Sequence, residues 1–186
     1  MTRYFIGLMA PEPIQAHLSA FAASLQRSLP TGLPSKISWT QPADLHCTVV
    51  FIGASDDEHH LIERLTEVGQ RLTPVTLSVQ GPTHWLGRNS LAVKVSGAEE
   101  LGTIVVREFE TLSSDPWVGR RPFHGHITLG RARPKPATDE DYFSGHELPP
   151  ATWYADCLHL VRNANSHIER KYEIVAEVPL RQISDH

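Results

Sequence analysis

The stretches His46-Cys47-Thr48-Val49 and His126-Ile127-Thr128-Leu129 repeat one pattern, in which a histidine and a threonine two positions apart are each followed by a small or apolar residue. Side chains of a β-strand alternate between its two faces, so each stretch presents its imidazole and hydroxyl on one face and its apolar side chains on the other. If the two strands lie side by side, two histidines and two threonines converge on one small volume. The repeat therefore predicts a shared site.

The segments before the two motifs repeat as well. A strand-like segment and a helical one precede each motif: 3–9 and 13–29 before the first, 91–95 and 98–112 before the second. Each half is too small to bury much apolar surface alone, so the two halves should share one core. We predict an α+β fold with two pseudo-twofold-related lobes of mainly antiparallel sheet flanked by helices. The active site should lie in the central cleft of a single two-lobed domain, residues 1–186.

Hydrophobic patterns predict the remaining elements. Either Asp56 or Asp57 is expected to cap a further helix, with apolar residues from Leu61 to Leu72 on its inner face. Residues 131–151, rich in proline and polar groups, are expected to form a long excursion at the rim. Strands are expected at 37–40, 47–52, 75–80, 126–129, 158–162 and 172–178, the second and fourth ending at Gly53 and Gly130.

Composition describes an ordinary globular protein, because 40% of its 186 residues are hydrophobic and 20% are charged. No apolar run approaches the ~20 residues that span a bilayer. The apolar segment 4–10 is cut off by Pro11, so we expect a buried first strand in place of a signal peptide, and a cytoplasmic protein. Cys47 and Cys157 do not suggest a disulfide scaffold, and we expect Cys47 to be buried and reduced.

The net charge of −4 argues against a protein that coats long duplex nucleic acid. Basic residues nevertheless gather around the second motif, whereas acidic residues follow the first. The basic group consists of Arg120, Arg121, Arg131, Arg133 and Lys135. A locally basic rim on an acidic protein fits a small phosphorylated ligand or an RNA end.

Two histidines and two threonines on one surface form a complete set for opening a cyclic phosphodiester, such as a 2′,3′-cyclic phosphate at an RNA end. Hydrolysis needs a base for the incoming water, an acid for the departing ribose oxygen, and hydrogen-bond donors for the non-bridging oxygens. His46 and His126 can supply the first two roles, since histidine titrates near neutral pH. Thr48 and Thr128 can supply the donors. Such chemistry requires no metal.

The chain resembles the two-histidine phosphoesterase superfamily, and within it the bacterial and archaeal RNA 2′,3′-cyclic phosphodiesterases once called 2′-5′ RNA ligases. Both motifs match the doubled His-x-Thr-x pattern of that family. The flanking stretches 3–8, 44–46, 51–53, 121–123 and 172–180 resemble the family in the same order along the chain. Gly125 stands where the family often has proline, and Asn163 where it usually has serine.

The resemblance implies specific roles. His46 would donate a proton to the leaving oxygen, His126 would accept one from water, and the product would end in a 2′-phosphate. Arg131 is the best candidate for a phosphate contact, because a guanidinium can bind two oxygens at once. Phe51 or Trp39 could stack on a base. The expected partner is RNA with a 2′,3′-cyclic phosphate end, or a small cyclic nucleotide. We expect a monomer, no cofactor, no metal and no membrane partner.

Three alternatives remain open at the level of sequence. The stretch His124-Gly125-His126 could contribute to a zinc site, although a zinc site needs three or four ligands. The same acid and base could run the reaction in reverse and join RNA ends through a 2′-5′ linkage. The protein could also bind RNA ends or nucleotides without catalysis, although a pure binder would not need both proton-transfer groups.

Overall fold

The computed structural model describes residues 2–29, 36–87, 89–132, 146–164 and 171–182. In these ranges the helices are α1 (Glu12–Ser28), α2 (Glu58–Gly69) and α3 (Glu99–Phe109). The strands are β1 (Thr2–Met9), β2 (Ile37–Trp39), β3 (His46–Ser55), β4 (Val75–Pro82), β5 (His84–Leu86), β6 (Ser90–Ser96), β7 (His126–Ala132), β8 (Glu147–Ala155), β9 (Cys157–Asn163) and β10 (Tyr172–Pro179). A short 3₁₀ turn, Pro42–Asp44, precedes β3.

One antiparallel sheet carries the two repeated motifs at its centre. Eight strands lie in the order β10-β9-β1-β3-β7-β6-β4-β8, while β2 pairs with β7 and β5 pairs with β6. This order is symmetric about the β3–β7 contact, because β1 and β6 flank it on the two sides, followed by β9 and β4. Each central strand follows a strand and a helix, β1 and α1 before β3, β6 and α3 before β7. The predicted α+β fold with two related, sheet-dominated halves is confirmed.

The two halves of the sheet meet over a very short contact. β1 and β3 pair along their whole length, from Thr2 opposite Ser55 to Met9 opposite His46. β3 and β7 share one backbone pair, Cys47 opposite Ile127. Because the ladder does not continue on either side of this pair, the two halves are joined at a point and open into a cleft around it.

Helices from each half cover the other half, so the two share one apolar core, as predicted. α3 packs against β3, and α1 packs against β8, where His17 Nε2 hydrogen-bonds the Pro149 carbonyl over 2.9 Å. Leu18 from α1 and Phe109 from α3 are both fully buried. Among the described residues, no helix is long and apolar enough to cross a membrane.

The structure corrects three details of the sequence-based prediction. Residues 147–151 belong to β8 instead of an excursion, and 133–145 lie outside the described ranges. The prolines of β8 argue against a strand in the sequence. The structure accommodates them because β8 lies at the sheet edge, where proline is tolerated. β5 was too short to predict.

The third correction concerns the glycines after the motifs, which do not end their strands. β3 runs through Gly53 to Ser55, and β7 runs through Gly130 to Ala132. Gly53 has a φ of +86° and lies at a register shift between Tyr4 and Phe5 of the partner strand. It forms a bulge instead of a strand end. For α2 the prediction is confirmed, since the side chain of Asp57 accepts the His60 N–H.

Ile127 provides a test of the contact between the halves. Its side chain is fully buried, and it lies opposite Cys47 at the point where the halves join. We expect Ile127→Ala to lower the free energy of unfolding by ~2–5 kcal/mol, through lost burial and the cavity left behind. Urea denaturation measures this. The control Ile174→Ala removes a side chain that is 43% exposed and should change it far less; equal losses would contradict the packing described here.

Candidate active site

The single backbone pair between β3 and β7 fixes how the motif side chains meet. Cys47 lies opposite Ile127 and the strands are antiparallel. In this register the residue before Cys47 faces the residue after Ile127, so His46 faces Thr128. In the same way, Thr48 faces His126. Residues directly opposite one another in such a pair share a face of the sheet. All four side chains line one solvent-open cleft of about 990 Å³. The repeated motif thus places each histidine diagonally from the other, beside the threonine of the opposite strand.

Each imidazole is oriented by a hydrogen bond to the backbone carbonyl two residues earlier in the chain. His46 Nδ1 lies 2.6 Å from the Asp44 carbonyl oxygen, and His126 Nδ1 lies 3.0 Å from the His124 carbonyl oxygen. A carbonyl can only accept a hydrogen bond, so Nδ1 of each ring must carry the hydrogen. In the neutral ring, Nε2 is then the unprotonated nitrogen and can accept a proton; in the charged ring, Nε2 can donate one. Each histidine is therefore prepared for proton transfer through Nε2.

His46 is packed by aromatic rings. Phe5 stacks on its imidazole with ring centroids 4.6 Å apart and an angle of 25° between the planes. Tyr172 meets the imidazole edge-on at 5.1 Å and meets Phe5 in the same way at 5.1 Å. The Lys171 ammonium lies 5.3 Å from the centre of the Tyr172 ring. These contacts fix the plane of His46.

Burial lowers the pKa of His46 below its ordinary value. The carbonyl and carboxylate of Asp44 act in the opposite direction, whereas the charges of Arg131 and His126 lower the pKa further. Burial and the charge of His126 also lower the pKa of His84. His84 lies opposite Ala92 on β6, which in turn lies opposite Thr128. A third histidine therefore lies on the β6 side of the site.

Asp44 connects the first motif to the segment that leads into β10. Its Oδ2 accepts the Lys171 backbone N–H over 3.0 Å, and its own carbonyl holds His46. The residue is only 3% exposed, and its Oδ1 has no hydrogen-bond partner among the described residues. Asp44 therefore orients His46 through its backbone and fixes the position of Tyr172 through its side chain.

The residues predicted to contact substrate lie on the walls of the same cleft, which Trp39, Phe51 and Arg131 all line. Arg131 Nη1 donates to Ser90 Oγ over 3.2 Å, and Phe51 is 40% exposed. Trp39 pairs with Gly130 of β7. A Cβ at position 130 would lie 2.7 Å from Ile37 Cγ2 and 3.4 Å from Trp39 Cε3, so the glycine lets β2 lie close against the motif strand.

All six residues predicted for the site thus come together: His46, His126, Thr48, Thr128, Arg131 and Phe51. Of the predicted basic rim, Arg133 and Lys135 lie outside the described residues. Cys47 is a free, buried thiol, and burial raises its pKa to about 12, consistent with a packing role. The described ranges contain no group of three or more His, Cys, Asp or Glu side chains placed to hold a metal ion.

Sequence reasoning missed several cleft residues. Phe5 and Tyr172 read as ordinary apolar strand residues, and only the tertiary contact with His46 distinguishes them. Lys171 lies just before β10 and also lines the cleft. Asp44 offered one signal, its position two residues before His46, where its carbonyl can reach Nδ1.

Residues 11–167 match the 2′-5′ RNA ligase superfamily. The match covers most of the chain, and the chain belongs to this family, which confirms the resemblance noted in the sequence. A relative from Bacillus subtilis (strain 168), named RNA 2′,3′-cyclic phosphodiesterase, is 27% identical over 150 residues, or 77% of this chain and 76% of that protein.

Solved structures share the fold. Escherichia coli LigT complexed with 3′-AMP superposes with a TM-score of 0.71 at 18% identity, covering 97% of this chain and 99% of that chain. The protein TT0787 of Thermus thermophilus gives a TM-score of 0.70 at 20% identity, with 96% and 98% covered. At these identities the likeness shows the fold.

The hydrogen bonds and charges around His46 lead to a prediction for nuclear magnetic resonance. With ¹⁵N-labelled histidine, neutral His46 and His126 should both show the Nδ1–H tautomer, and the pKa of His46 should lie below 6.5. Arg131→Gln should raise that pKa, because it removes a positive charge that opposes protonation. Arg181→Gln, which removes an exposed charge next to α2, is the control and should not. An Nε2–H tautomer at either histidine would contradict the proposed anchoring.

Proposed function

We propose that the protein is a metal-independent phosphodiesterase that hydrolyses 2′,3′-cyclic phosphate ends of RNA to 2′-phosphomonoesters. The observation that carries the proposal is the pair of histidines in one cleft, each tied through Nδ1 to a backbone carbonyl and each beside a threonine hydroxyl. A structural or purely binding role does not require two imidazoles with the same tautomer at one site. The name of the Bacillus subtilis relative supports the same reaction.

The reaction needs a base that accepts a proton from water and an acid that donates a proton to the leaving oxygen. Nε2 of His126 accepts a proton from water as the water oxygen attacks phosphorus. The bond between phosphorus and the 3′ oxygen breaks, and Nε2 of His46 donates its proton to that oxygen. The product carries a 2′-phosphate and a 3′-hydroxyl, so atoms and charges balance. This assignment of roles follows the family resemblance. Burial lowers the pKa of His46. A more acidic imidazolium transfers its proton to an alkoxide more readily, but a smaller fraction of His46 carries that proton at neutral pH.

The threonines and Arg131 stabilise the negative charge that develops on the non-bridging phosphate oxygens. Thr48 and Thr128 present hydroxyls on the cleft face of both strands, and hydrogen bonds to charged groups are among the stronger ones in proteins. The Arg131 guanidinium can form bidentate hydrogen bonds with two phosphate oxygens. The cleft volume of about 990 Å³ is large for a ligand site. It leaves room for a nucleobase, and Trp39 and Phe51 both line it.

The reverse reaction, 2′-5′ ligation, uses the same acid and base and is supported by the family to which the chain belongs. In ligation, an RNA 5′-hydroxyl replaces water as the nucleophile. Water is far more abundant than any RNA end, so hydrolysis should dominate unless the second strand is held in place. We propose ligation as a side activity.

The decisive assay incubates the protein with an RNA oligonucleotide ending in a 2′,3′-cyclic phosphate, in the presence of EDTA, and identifies the product isomer. We expect a 2′-phosphate, and we expect His46→Ala and His126→Ala each to lose at least ~10²-fold in kcat. His124→Ala is the matched control, because it removes an exposed imidazole and keeps the backbone carbonyl that holds His126.

The same assay separates the alternatives. Activity that EDTA abolishes and zinc restores, together with a large loss in His124→Ala, would indicate a metal site. The kcat/KM should be bell-shaped with pH, because the base must be neutral and is lost as pH falls through its pKa, whereas the acid must be charged and is lost as pH rises through its pKa. Absence of turnover from pH 5 to 9 would indicate a binding protein instead.

A further inference from the structure

The loop between α3 and β7 carries an exposed aromatic residue beside an arginine. Trp117 is 57% exposed, and the guanidinium carbon of Arg121 lies 4.8 Å from the centre of its ring. A single exposed tryptophan needs no explanation by itself, but a guanidinium beside its ring makes the pair suited to stacking on a nucleobase. The pair, here called the Trp117–Arg121 platform, presents a flat aromatic surface together with a positive charge.

The loop is held in a defined shape by its own hydrogen bonds. The Trp117 N–H donates to Asp115 Oδ1 over 3.0 Å, and the Asp115 N–H donates to Ser113 Oγ over 3.1 Å. The Arg120 N–H donates to the Trp117 carbonyl over 3.2 Å. These hydrogen bonds hold the backbone of the loop, and the Arg121 guanidinium lies over the Trp117 ring. The platform is therefore pre-organised, which lowers the cost of binding.

The loop is also attached to the cleft strand itself. Ser113 Oγ donates to the Phe51 carbonyl over 2.6 Å, and the Ser114 N–H donates to the Ile52 carbonyl over 2.8 Å. A Cβ at Gly53 would clash with Ser114 Oγ and lie 3.7 Å from Phe51 Cε1. The loop thus crosses β3 next to the aromatic ring that lines the cleft. Trp117 lies three residues beyond Ser114, within ~10 Å by chain geometry.

The loop carries carboxylates as well as cations, because Asp115 lies within it and the Glu110 side chain packs against Gly119. Neither Arg120 nor Arg121 forms an ion pair with a carboxylate in the described part of the chain, whereas Arg162 pairs with both Glu58 and Glu173. Single-stranded RNA is bound by this combination, with bases stacked on aromatic rings or guanidinium planes and phosphates attracted by nearby cations. The Trp117–Arg121 platform offers single-stranded RNA a ring on which a base can stack and a charge that attracts a phosphate.

We infer that, when the terminal cyclic phosphate of an RNA chain occupies the cleft, an upstream base of the same chain stacks on the Trp117–Arg121 platform. This inference rests on the proposed function. Arg120 and Arg121 attract the phosphates between the two positions. A cyclic mononucleotide engages the cleft alone, so the platform contributes to the recognition of longer substrates only.

The test compares kcat/KM for a 2′,3′-cyclic mononucleotide with kcat/KM for an oligonucleotide that ends in the same nucleotide. Trp117→Ala and Arg121→Gln should each lower the value for the oligonucleotide by at least about fivefold and leave the value for the mononucleotide unchanged. Tyr154→Ala is the matched control, because Tyr154 is 60% exposed on the edge strand β8. It should affect neither substrate.

The outcomes are separable from those of the proposed function. Equal losses on both substrates, or no loss on the oligonucleotide, would overturn the inference. If the wild-type protein turns over neither substrate, the proposed function fails. In that case, the fluorescence anisotropy of a labelled single-stranded RNA measures binding to each variant. Weaker binding by Trp117→Ala than by Tyr154→Ala supports a role of the platform in RNA binding, and equal binding refutes it. A change in oligomeric state alone, measured by light scattering, would assign Trp117 to a protein contact and also refute it.

Discussion

One backbone pair, Cys47 opposite Ile127, joins the two halves of the sheet, and the site depends on it. It sets the register in which each histidine stands level with the threonine of the other strand. The buried side chains of the pair anchor the central strands in the shared core, since both are fully buried. A longer ladder would close the space between the strands. A shift of one residue would turn the motif side chains of one strand into the core.

The two histidines share one anchoring device and differ in their surroundings. Each Nδ1 is tied to the carbonyl two residues earlier, so the same local geometry leaves both Nε2 atoms for chemistry. His46 is enclosed by Phe5 and Tyr172, and burial lowers its pKa. The duplicated motif thus provides two similarly anchored imidazoles, and aromatic packing encloses one of them, His46.

Much of this arrangement follows from the sequence, because a strand places residues two apart on one face whatever the rest of the fold does. The alternation of His46 with Thr48 and of His126 with Thr128 was therefore sufficient to predict that these four side chains line one cleft. The enclosure of His46 was not predictable, since Phe5 and Tyr172 come from strands far apart in the chain. The role of Asp44 depends on a partly buried hydrogen bond from the Lys171 backbone. The prolines of β8 are atypical of a strand and obscured it in the sequence. Tertiary contacts decide these features, and one sequence does not reveal them.

The most direct test of the central claim is a crystal structure of the protein with an RNA oligonucleotide ending in a 2′-phosphate, the proposed product. The phosphate should lie between β3 and β7, with its oxygens within ~2.7–3.2 Å of Nε2 of both His46 and His126 and within hydrogen-bond reach of both threonine hydroxyls. A phosphate that contacts only one histidine, or lies outside this cleft, would contradict the claim that the two motifs form one catalytic centre.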